Sequence, residues 1–101
     1  MDNPSLEILI ELLNEALAHP GRRQESIEKF QASMWKKPPY TAPAAWIQEI
    51  LGDLAYDLDF YEPDLESRQE DPSYFGDDQA EEKIRSALLK LKAGGIPVPN
   101  V

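Results

Sequence analysis

The sequence contains no cysteine and a single histidine. Without cysteine there is no disulfide framework, no thiolate nucleophile and no thiolate metal site, and the chain suits a reducing compartment. His19 precedes Pro20 in a turn, with no partner in sequence, and reads as an exposed loop residue, not a catalytic base. No apolar run approaches the roughly 20 residues that a membrane helix needs. The opening Met1-Asp2-Asn3-Pro4 is acidic and has no basic stretch ahead of an apolar one, so it does not read as a signal peptide, and a cytoplasmic location is expected. There is no glycine-rich phosphate loop. Bases are scarce: Arg22-Arg23 and Lys36-Lys37 are too sparse for a nucleic-acid surface. The run Asp57 to Asp64 resembles a calcium loop, but it lacks an oxygen ligand at its fifth position and glycine at its sixth. The expectation is a chain that is not an enzyme and holds no metal or cofactor.

What is present is helical periodicity. At 101 residues the chain is sized for one domain with one modest core. Four segments repeat their apolar residues at helical spacing, and punctuation separates them. The first spans about Pro4 to Ala18, with Asn3 as its cap and Pro4 at its first position. Its face is Leu6, Leu9, Ile10, Leu13 and Leu17, widened by Ile8 and Leu12. The second spans about Gln24 to Met34, with Ile27, Phe30 and Met34 on one face and Glu25 paired to Lys29. Lys36 to Pro43 holds three prolines and is an extended connection. The third helix spans about Pro43 to Phe60, with Ile47, Ile50, Leu51, Leu54 and Leu58 as its stripe and Trp46 near its start. After Tyr61-Glu62-Pro63-Asp64 comes a polar loop whose Asp71-Pro72-Ser73-Tyr74-Phe75-Gly76 predicts turns. The fourth helix starts near Asp77, with Asp78 and Glu81 at capping-box spacing and Ala80, Ile84, Ala87, Leu88 and Leu91 facing the core. Gly94-Gly95 ends it, leaving an extended tail. With no strand signal, the pattern predicts an all-α, compact antiparallel four-helix bundle with its core over residues 4–93 and its tail over 94–101.

The charge is strongly asymmetric. Nineteen acids against ten bases give −9, with a pI near 4.4, which favours basic partners over nucleic acid or anionic membranes. Thirteen of the acids lie between Glu49 and Glu82, where Arg68 is the single base, so this stretch carries −12 and the remainder +3. Local physics does not favour that block. Glu49, Asp53 and Asp57 repeat at i, i+4, i+8 and repel along one helical face. Asp57, Asp59 and Glu62 lie near a helix C-terminus, where the macrodipole prefers cations. Each violation costs only tenths of a kcal/mol, but all point the same way, as they do at functional surfaces. Among the interleaved aromatics, Phe60 and Phe75 are expected in the core. Tyr56, Tyr61 and Tyr74 are open between covering the bundle's end and anchoring an interface.

Three stretches carry a family resemblance: Ile27-Glu28-Lys29-Phe30, the corner Phe60-Tyr61-Glu62-Pro63-Asp64, and Ile84-Arg85-Ser86-Ala87-Leu88-Leu89-Lys90-Leu91. Over roughly Leu6 to Lys92 the chain resembles the colicin D-type immunity proteins, small helical inhibitors of a bacterium's own nuclease toxin. The proline-rich connection and the basic pairs depart from that pattern. The resemblance implies a four-helix protein without chemistry of its own, which covers the basic cleft where a nuclease would hold tRNA. On this reading Glu49, Asp53, Asp57, Asp59, Glu62 and Asp64 are the charged contacts and Tyr56 and Tyr61 the anchors. The expected partner is one cognate toxin nuclease domain in a 1:1 complex, with a free form that is monomeric. The alternative is a general acidic adaptor or scaffold binding several basic partners. A small enzyme subunit and a nucleic-acid mimic that blocks a DNA-binding protein are the remaining readings.

Overall fold

The computed structural model describes residues 5–36 and 40–99. Four helices follow one another: α1 (Leu6–Ala18), α2 (Arg23–Trp35), α3 (Ala45–Leu58) and α4 (Asp77–Ala93). α1 packs on α2, α2 on α3, α3 on α4, and α4 closes back onto α1. The directions follow from the contacts. Trp46 at the start of α3 rests on Gly94 beyond the end of α4, while Asp57 at the end of α3 faces Lys83 near the start of α4. The result is the all-α antiparallel four-helix bundle that the periodicity predicts. Its Cα radius of gyration, 13.4 Å, is that of one compact domain of this length.

Helix boundaries differ from expectation where a local hydrogen bond decides them. α1 is capped by Ser5, whose hydroxyl accepts from the Ile8 N–H at 3.2 Å, instead of by Asn3, and the helix begins at Leu6. Asn3 and Pro4 lie outside the described residues, as do Pro38 and Pro39 of the connection. α3 begins at Ala45, two residues beyond Pro43, because Ala44 is extended. The Gln48 side chain instead accepts from Ala42 N at 2.6 Å and donates to Tyr40 O at 3.3 Å, pinning the incoming chain. α3 ends at Leu58, before Phe60, as the Phe60 and Tyr61 N–H groups turn to Asp57 O and Leu58 O three residues back. α4 is capped by Gly76, so Asp78 with Glu81 does not form a capping box.

The core is built from one stripe of each helix. α1 contributes Leu9, Ile10, Leu13 and Ala16, and α2 contributes Ile27, Phe30 and Met34. Ile47, Leu51, Leu54 and Leu58 of α3 meet Ala80, Ile84, Ala87, Leu88 and Leu91 of α4. Ile8 does not join them and is 47% exposed, while Leu6, Leu12 and Leu17 pack at the margin. Phe75 is buried and Phe60 packs against the core from its edge, as expected of both. Buried Tyr40 was not anticipated; burial pushes its hydroxyl pKa up.

The C-terminal stop is a Schellman turn. Ile96 N donates to Leu91 O at 3.0 Å and Gly95 N to Lys92 O at 3.0 Å. This geometry places Gly95 at φ 98°, the left-handed region. The tail then doubles back, with Val98 buried and the Asn14 side chain donating to Pro99 O at 3.1 Å. A Cβ on Gly95 meets nothing within 4 Å, so Gly95→Ala isolates the backbone term. It should lower stability by about 1 kcal/mol in urea melts without changing the helical signal; an unchanged midpoint would contradict the turn.

Candidate functional site

The acidic block divides into an engaged part and a free part. The engaged part is organised by Arg23, the first residue of α2, which is 1% exposed. Its Nε donates to Ala16 O at 2.7 Å, its Nη1 to Asp77 Oδ1 at 2.8 Å and its Nη2 to Glu81 Oε2 at 2.6 Å. Tyr61 adds a fourth bond, donating its hydroxyl to Asp77 Oδ1 at 2.6 Å. The guanidinium fork suits two carboxylates one helical turn apart, which a lysine could not bridge in this way. Burial alone would lower the Arg23 pKa, but the two carboxylates together raise it. The Tyr61 hydroxyl is pushed up to about 12, first by burial and then by donation to Asp77. The Asp77 carboxyl is held below its ordinary value, chiefly by the Tyr61 hydroxyl and then by Arg23.

The corner after α3 is likewise engaged internally. Glu62 N donates to Phe75 O at 2.8 Å and Phe75 N to Phe60 O at 3.0 Å, an isolated parallel bridge that closes the base of the acidic loop. Asp64 Oδ2 accepts from the Ser67 N–H at 3.0 Å and its hydroxyl at 2.7 Å, and Ser67 therefore holds the Asp64 carboxyl below its ordinary value. Glu62 Oε2 accepts from Asp64 N at 3.2 Å. The anticipated turn is present, with Asp71 Oδ1 accepting from Ser73 N at 2.8 Å and Tyr74 N donating to Asp71 O at 3.1 Å. Arg68 lies across the backbone of Gly76, where a Cβ would strike its guanidinium.

A free part lies on α3. At 100° per residue, Glu49, Asp53, Tyr56 and Asp57 fall within about 100° of one another around the helix axis. Glu49 and Asp53 are exposed, and Tyr56 is 64% exposed with its ring edge-on to Phe60 at 5.7 Å. Glu49, Asp53 and Asp57 line a groove of about 600 Å³ between α3 and α4. Lys83, from α4, stands 4.0 Å from Asp57 Oδ2 and 5.3 Å from the centre of the Phe75 ring, which relieves part of the repulsion along the ridge. Glu82 enters the groove from the α4 side. Among the described residues, Glu49, Asp53 and Glu82 form no ion pair.

Of the eight residues singled out in the sequence, the fold therefore brings Glu49, Asp53, Tyr56 and Asp57 together on one face. Asp59 is exposed at the C-terminal cap of α3. Tyr61, Glu62 and Asp64 hold the corner in place, and the half-buried Tyr61 is a structural tie. His19 is exposed at the end of α1, 4.0 Å from Glu15, which also holds Arg22 at 2.8 Å. Among the described residues, no three acidic or histidine side chains converge to hold a metal ion. No family model, no curated protein and no solved structure matches this chain.

Sequence reasoning grouped Arg23 with Arg22 as a surface pair and missed the cluster. The signal was present: Arg23, Ile27, Phe30 and Met34 repeat at i, i+4, i+7, i+11, so the buried stripe of α2 runs through the arginine. Arg23→Met should lower stability by about 2 kcal/mol or more in urea unfolding, because it removes three donors from one buried position. The raised Tyr61 pKa stabilises the fold fully below the unfolded value near 10, and that stability drains away as pH rises toward about 12. Alkaline titration followed by circular dichroism should show a loss of stability in this window that Tyr61→Phe reduces, leaving the share owed to buried Tyr40. Equal alkaline slopes in the two proteins would refute the hydroxyl's role.

Proposed function

We propose that this chain is an immunity protein, which binds a cognate nuclease toxin of tRNA-cleaving type in the cytoplasm and blocks it by laying the α3 face over its basic cleft. The observation that carries this reading is the free carboxylate set on a rigid frame. Glu49, Asp53 and Glu82 are exposed, form no ion pair among the described residues, and sit with exposed Tyr56 on the α3 and α4 side of a bundle of net charge −9. Unpaired carboxylates beside an exposed tyrosine are the composition of an interface facing a cationic protein. Their field also speeds capture, which an inhibitor of a lethal enzyme requires. The resemblance of Ile27 to Phe30, Phe60 to Asp64 and Ile84 to Leu91 to the colicin D-type immunity proteins supports the choice of a nuclease as the cationic partner.

The face acts by steric and electrostatic occlusion. Its carboxylates take the places that substrate phosphates would occupy, and no bond is made or broken. Asp57, already beside Lys83, contributes less than Glu49 and Asp53.

Co-expression tests the reading directly. The polypeptide encoded immediately upstream should arrest growth of a sensitive bacterium when expressed alone, and this chain should restore growth. Arrest without rescue, or no arrest at all, would replace the inhibitor with a general acidic adaptor. In the same assay Glu49→Lys with Asp53→Lys should leave the fold intact, since both side chains are exposed and neither has an ion-pair partner among the described residues. Affinity for the upstream product should fall at least about tenfold, mostly through the association rate, and unchanged affinity would remove the α3 face from the interface.

A further inference from the structure

The α3 and α4 groove carries both signs of charge in a fixed order. Its α3 rim is Glu49, Asp53 and Asp57, one helical turn apart, over a floor formed by Ile50, Leu54 and Ala87. Its α4 rim bears Glu82, Lys83 and Lys90. The two lysines are not equivalent. Lys83 is engaged with Asp57 and the Phe75 ring. Lys90, two turns further along α4 at the Glu49 end of the groove, forms no ion pair among the described residues. The free charges are thus Glu49, Asp53 and Glu82, opposed at one end by a single cation.

We infer that this groove seats one amphipathic helix of the basic partner, and that Lys90 sets the direction in which the helix lies. The helix would place two cations one turn apart over Glu49 and Asp53, small apolar residues on the Ile50, Leu54 and Ala87 floor, and a carboxylate over Lys90. Four residues of α3 rise about 6 Å, which an opposing helix matches with cations at i and i+4. Same-side residues of an extended strand are nearly 7 Å apart and drift out of step along the roughly 12 Å from Glu49 to Asp57. The free charge selects among other occupants. A second copy of this chain carries −9 and would bring the same acids to the groove, and nucleic acid would be repelled by them. A helix that is basic along its whole edge, or one lying in reverse, would set a cation on Lys90, and such like-charge contacts are how interfaces reject wrong partners.

This inference rests on the proposed function for the basic character of the partner and adds how that partner is recognised. Two side-chain-stapled helical peptides of identical composition serve as probes, titrated calorimetrically onto the full chain. One carries arginines one turn apart with a glutamate level with the arginine meant for Glu49, on the flank that meets Lys90; the other carries the same residues with the charge order reversed. The first should bind roughly tenfold tighter. Lys90→Glu should erase or invert that preference, while Glu28→Gln, on the outside of α2, should leave it unchanged. Equal affinities for the two peptides, binding of neither, or a preference that survives Lys90→Glu would overturn the inference. Growth rescue alongside any of those results would leave the inhibitor reading standing and remove only the helix-seating groove. Ordered peptide binding without rescue would do the reverse.

Discussion

A fully buried guanidinium is the constraint around which this bundle is arranged. Arg23 reaches the last turns of α1 through Ala16 O, and the first two turns of α4 through Asp77 and Glu81, from its own place at the start of α2. Tyr61 extends the cluster to the corner that follows α3. Four separate parts of the chain therefore meet at one cation. A buried charge is tolerable only where its donors are matched, so the positions of all four parts are coupled. The half exposure of Asp77 lets water share the cost of desolvation.

The same cluster explains how so many acids coexist in one third of the chain. Asp77 and Glu81 are neutralised by Arg23, and Asp64 is consumed by the Ser67 turn. Acids in the first turn of α4 also lie where the helix dipole favours them. Among the described residues, Glu49 and Asp53 on α3 and Glu82 on the adjoining rim of α4 remain without an ion pair, as do the exposed Asp59, Glu66, Glu70 and Asp78. Along Glu49, Asp53 and Asp57, the ion pair among the described residues is the one between Lys83 and Asp57. The fold thus takes part of the charge asymmetry of the sequence into internal contacts and leaves the rest at the surface.

Much of the architecture was legible in the sequence because helical periodicity records burial directly. The stripes of α3 and α4 were read almost residue by residue, and so was the glycine stop after α4. The boundaries were harder, since Ser5 and Gln48 act through side-chain hydrogen bonds whose partners cannot be chosen from composition. The site was legible in part. Spacing of i, i+4, i+8 is a property of the helix alone and placed Glu49, Asp53 and Asp57 correctly on one face. Tyr61, Glu62 and Asp64 looked equivalent to them in sequence but face inward or bind one another. Those contacts depend on Asp77, 16 residues away from Tyr61, and on a turn, neither of which a local pattern contains.

The sequence distance across the Arg23 cluster bears on how the bundle finds its register. Arg23 and Asp77 are 54 residues apart, so their meeting comes after the short α1–α2 hairpin can form from local contacts. An apolar stripe alone would tolerate α4 sliding or rotating, because leucine and isoleucine replace one another at modest cost. Rotating α4 by one residue swings Asp77 and Glu81 away by about 100° and strands a cation in the interior. The arginine thus works as a checkpoint: it adds little to collapse, but it penalises bundles that collapse with the fourth helix out of place, and so keeps the carboxylates of α3 opposite the correct edge of α4.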